Sequence, residues 1–198
     1  MSRWISAVQL QGNAVALEPL SLEHREGLLA AINDGELWRL WFTSVPDATH
    51  LDAYIETALD MRERLSAMPF VVREKATGEI LGTTRYCNVD EKNQRLEIGY
   101  TFYAQRVQRT SVNTECKLLL LTHAFEQLRS IAVEFRTHWM NHRSRRAIER
   151  LGAKQDGILR NHQRMPDGSY RDTVVYSIIE SEWPAVKRHL THKLAGGR

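Results

Sequence analysis

Between Tyr103 and Leu128 the chain reads YAQRVQRTSVNTECKLLLLTHAFEQL, a basic turn leading from a strand-like segment into an apolar, helix-like one. The first turn of a helix leaves backbone N–H groups without partners and carries partial positive charge. A turn of this kind therefore holds a pyrophosphate with no need for particular side chains. Arg106 and Arg109 add formal charge beside it. A second basic stretch, His142-Arg143-Ser144-Arg145-Arg146, follows Asn141. Nucleic acid is one polyanion such a cluster could meet, but no interleaved aromatics and no recognition-module motif accompany it, so no nucleic-acid partner is expected. Asn141 and Ser144 are both favoured types in a first helical turn, and capping alone would account for them. Cys87 and Cys116 have no CxxC or Cys/His spacing, which predicts no metal site and fits a reducing compartment.

These residues need elements to position them. Ser21 can cap a first helix over His24 to Ile32, and a second amphipathic helix opens near Thr49. From Phe70 the pattern changes to FVVREK, EILGTTRYC and RLEIGYTF, short runs rich in β-branched and aromatic residues separated by turn-forming segments, which predicts an antiparallel meander. A helix over Val112 to Leu128, a strand IAVEFRTHW and a basic helix ending at Gly152 come next. Two late strands, Gly157 to Arg160 and Thr173 to Ile179, are joined across PDGS, and a helix over Glu182 to Lys193 closes the chain. With a further short strand at Ala14 to Leu17, this order predicts one α/β (α+β) domain over residues 1–198 around a mostly antiparallel sheet.

A length of 198 residues suits one compact domain, and 42% hydrophobic with 26% charged residues is an ordinary globular composition. The formal charge of +3 is spread along the chain and singles out no partner. No apolar run approaches a bilayer span, and the N-terminus lacks the apolar stretch of a signal peptide, so a cytoplasmic protein without a membrane partner is expected.

The segment Gln108-Arg109-Thr110-Ser111-Val112-Asn113 resembles the coenzyme A loop of the GNAT (GCN5-related) N-acetyltransferase family, Q/R-x-x-G-x-G/A, with Ser111 and Asn113 at the usual glycine and glycine or alanine positions. Thr114-Glu115 follows as in the ribosomal-protein acetyltransferase (RimJ/RimL-like) branch. The stretch from Asn141 to Ala153 is similar to that branch's N-x-x-S-x-x-x-I/L-x-K/R-L-G-F/A segment, and Arg171 to Ile179 with Glu182-Trp183 looks like its closing strand and helix entry. The resemblance covers roughly residues 17–190. It implies a GNAT fold: a twisted mixed sheet of six or seven strands, helices on both faces, and a central V-shaped splay for acetyl-CoA.

It also implies roles. Backbone amides from Arg109 to Asn113, with Gln108 and Thr114 flanking, would bind the pyrophosphate. The strand end Tyr100-Thr101-Phe102-Tyr103 would pair with the pantetheine arm, along which Asn141 and Ser144 would lie. Glu97 is the expected base for the incoming amine; the competing reading is a surface carboxylate paired with a neighbouring strand cation such as Arg85 or Arg95. Many family members carry a tyrosine acid where this chain has Ile148, which leaves Ser144, or solvent, to protonate the leaving thiolate. Trp38, Trp41 and Phe42 would line the acceptor pocket or pack in the core, Arg160 and His162 form a solvated basic face, and Tyr176 is a core aromatic. The implied activity is direct acetyl transfer to a primary amine, on a small molecule or a protein N-terminus, by an enzyme that forms a homodimer. The alternative is a non-catalytic acyl-CoA-binding module, which the altered loop glycines and the absent tyrosine would fit.

Overall fold

A computed structural model describes residues 4–197. A single eight-stranded sheet runs through the molecule in the order β1-β2-β3-β4-β5-β6-β8-β7. Its strands are β1 (Leu10–Gln11), β2 (Val15–Pro19), β3 (Met68–Glu74), β4 (Ile80–Asp90), β5 (Arg95–Tyr103), β6 (Ala132–His138), β7 (Lys154–Arg164) and β8 (Tyr170–Ile179). The helices are α1 (Arg25–Asn33), α2 (Leu51–Glu63), α3 (Val112–Thr122), α4 (His142–Glu149) and α5 (Trp183–Leu194). The meander β2 to β5 is antiparallel as expected, and the strand beyond the expected six or seven is the two-residue β1.

Side-chain alternation divides the core between the two sheet faces. In β3, Phe70 and Val72 join the cluster built on α3 and α5 with Leu120, Leu121 and Trp183, whereas Val71 between them joins Leu28, Ile32 and Ile55 of α1 and α2. Boundaries moved where local hydrogen bonds decided them. Helix α2 begins at Leu51, after a turn in which Asp47 accepts from the backbone N–H of Thr49 at 2.9 Å and of His50 at 3.0 Å. The regular part of α3 stops at Thr122 and continues as a wider π-turn over His123–Gln127. The late hairpin is longer than its apolar residues show, because β7 is exposed along most of its length and carries polar side chains.

One pairing shapes the site. β5 and β6 are parallel for only three residue pairs, Arg95↔Ala132, Leu96↔Val133 and Glu97↔Glu134, and then part. On its other edge β5 stays bonded to β4, with a register shift between Thr83 and Arg85 opposite Tyr100, whose φ of 50° is left-handed. A bulge of this kind bends the strand that carries it and turns β5 away from β6.

Helix α3 is pinned by charged groups. Glu115 is buried, and its carboxylate accepts from the backbone N–H groups of Asn13 and Ala14, the latter at 3.0 Å, tying α3 to the β1–β2 turn. Two residues on, Lys117 is 5% exposed and donates to Thr101 Oγ1 at 2.8 Å and Thr84 Oγ1 at 3.2 Å. No carboxylate lies within ion-pair distance of it among the described residues, and burial lowers its pKa to about 8.

Glu115→Ala leaves two inward backbone donors unpaired and is expected to cost about 2 kcal/mol, seen as a thermal midpoint lower by roughly 4–8 °C. Lys117 titrates lower in the fold than the ordinary 10.5, so its burial penalty is fully present below about 8 and is relieved as pH rises from there toward 10.5. Urea unfolding should show wild type gaining about 2 kcal/mol between about pH 7 and about pH 9.5 relative to Lys117→Met. Parallel pH profiles for the two proteins would refute an unpaired buried ammonium.

Candidate active site

The parted strands enclose a cavity of about 610 Å³. One wall is β5 from Ile98 to Tyr103 and the other is β6 from Phe135 to His138. The turn before α3 and the exposed face of α4 close one end, and the segment joining α1 to α2 borders the other. Arg109, Arg136, Arg143, Arg146, Arg150, Arg171 and Lys117 line it, and no Asp or Glu does among the described residues. A cavity with basic walls and no carboxylate lining favours a polyanion.

At the α3 end, the backbone N–H groups of Thr110, Ser111, Asn113 and Thr114 have no protein acceptor among the described residues, while that of Val112 meets Thr110 Oγ1 at 3.3 Å. Ser111 has ordinary helical dihedrals (φ −70°, ψ −15°) and Asn113 lies inside α3. The left-handed position of the turn is Arg109, with φ 65°. The missing glycines therefore put no strain on the turn, and its donors remain free for a pyrophosphate. Gln108 braces the turn by donating to Tyr103 O at 2.8 Å and accepting from Arg143 of α4.

Asn141 caps α4 by accepting from the backbone N–H of Ser144 at 3.0 Å. Capping is thus realised, and both residues also line the cavity, as do Tyr100, Thr101, Phe102, Tyr103, Gln108, Arg109, Thr110 and Asn113. Ser111, Val112 and Thr114 are not among its lining residues. Ile148, one turn beyond Ser144 on the same helix face, lines the cavity with an apolar chain that offers no proton.

Glu97 belongs to the last β5–β6 pair, at the apex of the splay. It is 7% exposed and is not itself a lining residue. Neither expected cation pairs with it: Arg95 bonds Glu134, and Arg85 has no carboxylate partner among the described residues. Instead Asn88 Nδ2 donates to Glu97 Oε2 at 2.7 Å, and Arg136 Nε stands 3.5 Å from the same oxygen. Burial raises the Glu97 pKa against the opposing pull of Asn88 and Arg136. Gly99 makes this placement possible, since a Cβ there would stand 2.9 Å from Glu97 Oε1, and Gly99 does line the cavity. The carboxylate therefore lies directly over the cavity wall.

Of the three aromatics expected at the acceptor end, Phe42 lines the cavity. Trp38 packs with the α1–α2 core, and Trp41 is 58% exposed with its ring 5.0 Å from that of His138 at a steep angle. Close spacing in sequence does not place neighbours on one wall, because the segment turns as a 3-10 helix at Leu37–Arg39. Arg160 bonds Asp172 at 2.6 Å on the exposed face, and Tyr176 is buried, donating to Glu149 at 2.8 Å.

Sequence reasoning missed Lys117, Arg136, His138 and Arg171. His138 is buried, its pKa lowered by desolvation, and its Nδ1 accepts from the Met140 N–H at 3.0 Å. The signal available was strand alternation in FRTH, which sets Phe135 and Thr137 against Arg136 and His138 but names no partner for any of them.

A family model described as "Acetyltransferase (GNAT) domain" matches residues 15–154. A Bacillus subtilis protein with the provisional name ribosomal N-acetyltransferase YdaF is 27% identical over 173 residues, 86% of this chain and 92% of its own. A solved structure from T. thermophilus, provisionally described as an acetyltransferase, is 34% identical with a TM-score of 0.84, covering 96% of this chain and 99% of its own. Mycobacterium smegmatis RimJ, solved in complex with CoA-disulfide, is 19% identical over 94% of this chain and 93% of its own, and shares the fold with a TM-score of 0.76. With the family match spanning well over half the chain, the protein belongs to the GNAT acetyltransferases, whose acyl donor is acetyl-CoA.

Proposed function

We propose that the protein transfers the acetyl group directly from acetyl-CoA to a primary amine while both are bound, with Glu97 as the base. The carrying observation is a buried carboxylate at the apex of the splay, beside the cavity, held by Asn88 and by Arg136 of the neighbouring strand. An alkyl amine is protonated near neutrality and must lose a proton before it can attack a thioester carbonyl. Burial raises the Glu97 pKa toward the working pH, where a carboxylate is a more effective proton acceptor. Acetyl-CoA supplies the activated acyl group. The chain supplies the phosphate-binding turn, the unpaired edge of β5 along which the pantetheine amides can bond, and N–H groups that polarise the carbonyl.

Ser144 carries the second role. Its side chain is the hydroxyl presented on the cavity face of α4 one turn before Ile148, and it would donate to the departing thiolate. For the acceptor, the name of the B. subtilis relative favours a ribosomal protein, while the segment joining α1 to α2, which borders the cavity, is equally suited to a small amine. A homodimer remains part of this reading, with sedimentation velocity as its test.

Thiol release from acetyl-CoA with an amine panel, alongside calorimetric titration of acetyl-CoA, tests the assignment. Glu97→Gln is expected to lower kcat/KM by about 100-fold or more with acetyl-CoA affinity unchanged, and Ser144→Ala by about 10-fold. Wild-type kcat/KM should fall as pH drops through the raised Glu97 value, because protonated Glu97 no longer accepts a proton, and that limb should vanish in Glu97→Gln. Unaltered turnover in both variants rejects the roles, and no binding of acetyl-CoA rejects the site.

Gly99→Ala makes a separate check, since the added methyl displaces the Glu97 carboxylate. We expect turnover to fall as it does for Glu97→Gln, again at constant acetyl-CoA affinity.

A further inference from the structure

Arg85 is the residue that the fold leaves unexplained. It lies on β4 with its side chain 1% exposed, yet among the described residues its Nε and Nη2 have no hydrogen-bond partner, and its only polar contact is Nη1 to Met61 Sδ at 3.5 Å. The rings of Tyr54 and Tyr100 flank the guanidinium, with Cζ 4.8 Å and 4.1 Å from their centroids. A buried cation without an anion is costly, and cation–π contact offsets only part of that cost. The unpaired atoms are informative, because Nε and Nη2 form one edge of the guanidinium, the edge that grips a carboxylate with two parallel hydrogen bonds. Arg25 uses the same edge on Asp52 in this molecule, at 2.6 and 3.2 Å.

The surroundings point to a ligand. Arg85 lines a recess of about 290 Å³ with Ser44, His50, Tyr54, Thr57 and Tyr100. Ser44, Tyr54 and Tyr100 are shared with the main cavity, so the recess opens from its acceptor end. Arg85 stands opposite Gly99 and Cys87 stands opposite Glu97, which puts Arg85 and Glu97 on one sheet face as diagonal neighbours. That is the α2 face, whereas Lys117 meets Thr84 on the α3 side, so the recess is separate from the phosphate end. Tyr100, whose ring lies over the guanidinium, is 44% exposed.

We propose that Arg85 binds a carboxylate on the acceptor, which makes the acceptor class a small amino acid whose ammonium faces Glu97 while its carboxylate enters the recess. This rests on the transferase reading above and narrows it. One guanidinium fork matches a planar carboxylate through two parallel hydrogen bonds.

The test uses thiol release from acetyl-CoA with the twenty L-amino acids, each beside its primary amide, and with uncharged tripeptides. Wild type is expected to turn over at least one free acid with kcat/KM about 30-fold or more above its amide. Arg85→Met should bring that ratio to within about 3-fold while acetyl-CoA still binds with wild-type affinity. If Arg85→Met does not fold, Arg85→Lys keeps the charge without the fork and should lose most of the preference. Equal use of acid and amide, turnover of tripeptides alone, or a preference that survives either folded variant overturns the carboxylate site and leaves the transferase reading standing. Failure with every acceptor sinks both.

Discussion

Where β5 and β6 part beyond Glu97 and Glu134, each strand loses the partner that its backbone N–H and C=O groups would otherwise have. In a sheet interior such groups are paired almost without exception, so a gap opened between two central strands must be filled by water or by another chain of amides. The pantetheine arm of acetyl-CoA is such a chain. The bulge at Tyr100 and the short register of β5 on β6 are therefore the origin of the site, and the rest of the molecule holds them open. The β1–β2 turn locks α3 through Glu115, and the turn before α3 and the exposed face of α4 close one end of the cavity.

Charge follows the same division. The carboxylates near the gap are turned into the sheet, Glu97 toward Asn88 and Arg136 and Glu134 toward Arg95 and Arg136, and the cavity surface itself is left to cations. This keeps like charge away from the phosphates of the donor while leaving a proton acceptor close to the reaction centre. The Glu97 pKa is raised because burial outweighs the pull of its neighbours, a balance that a fully paired carboxylate would not have. Gly99 is part of the same arrangement, because the carboxylate occupies the space that any side chain at that position would fill.

Much of this was legible in the chain. Alternating β-branched runs give the meander, the basic turn before an apolar segment gives the start of α3, and RLEIGYTF gives the strand on which Glu97 sits. The loop glycines misled in one respect. Their absence reads as a damaged site, but the backbone shifts its left-handed residue to Arg109 and starts the helix at Val112 without strain. Partners across the sheet were not legible, because alternation assigns a face and leaves register open. Glu97 consequently looked like a partner for Arg85 or Arg95 when its cation comes from β6, and Trp38 looked like a pocket residue when it completes the α1–α2 core.

Lys117 and Arg85 show what the sheet itself contributes to chemistry. They approach the same strand pair from opposite faces, Lys117 from α3 through Thr84 and Thr101 and Arg85 toward α2 through Tyr54 and Tyr100, and neither meets a carboxylate among the described residues. A core selected for stability alone would place apolar chains at both positions, since exchanging a buried charge for a packed hydrophobe commonly stabilises a fold. Retaining two such charges within reach of one cavity makes sense when anionic groups arrive from outside. With the phosphate-binding turn proposed at the α3 end, the Arg85 side is the one proposed for the acceptor.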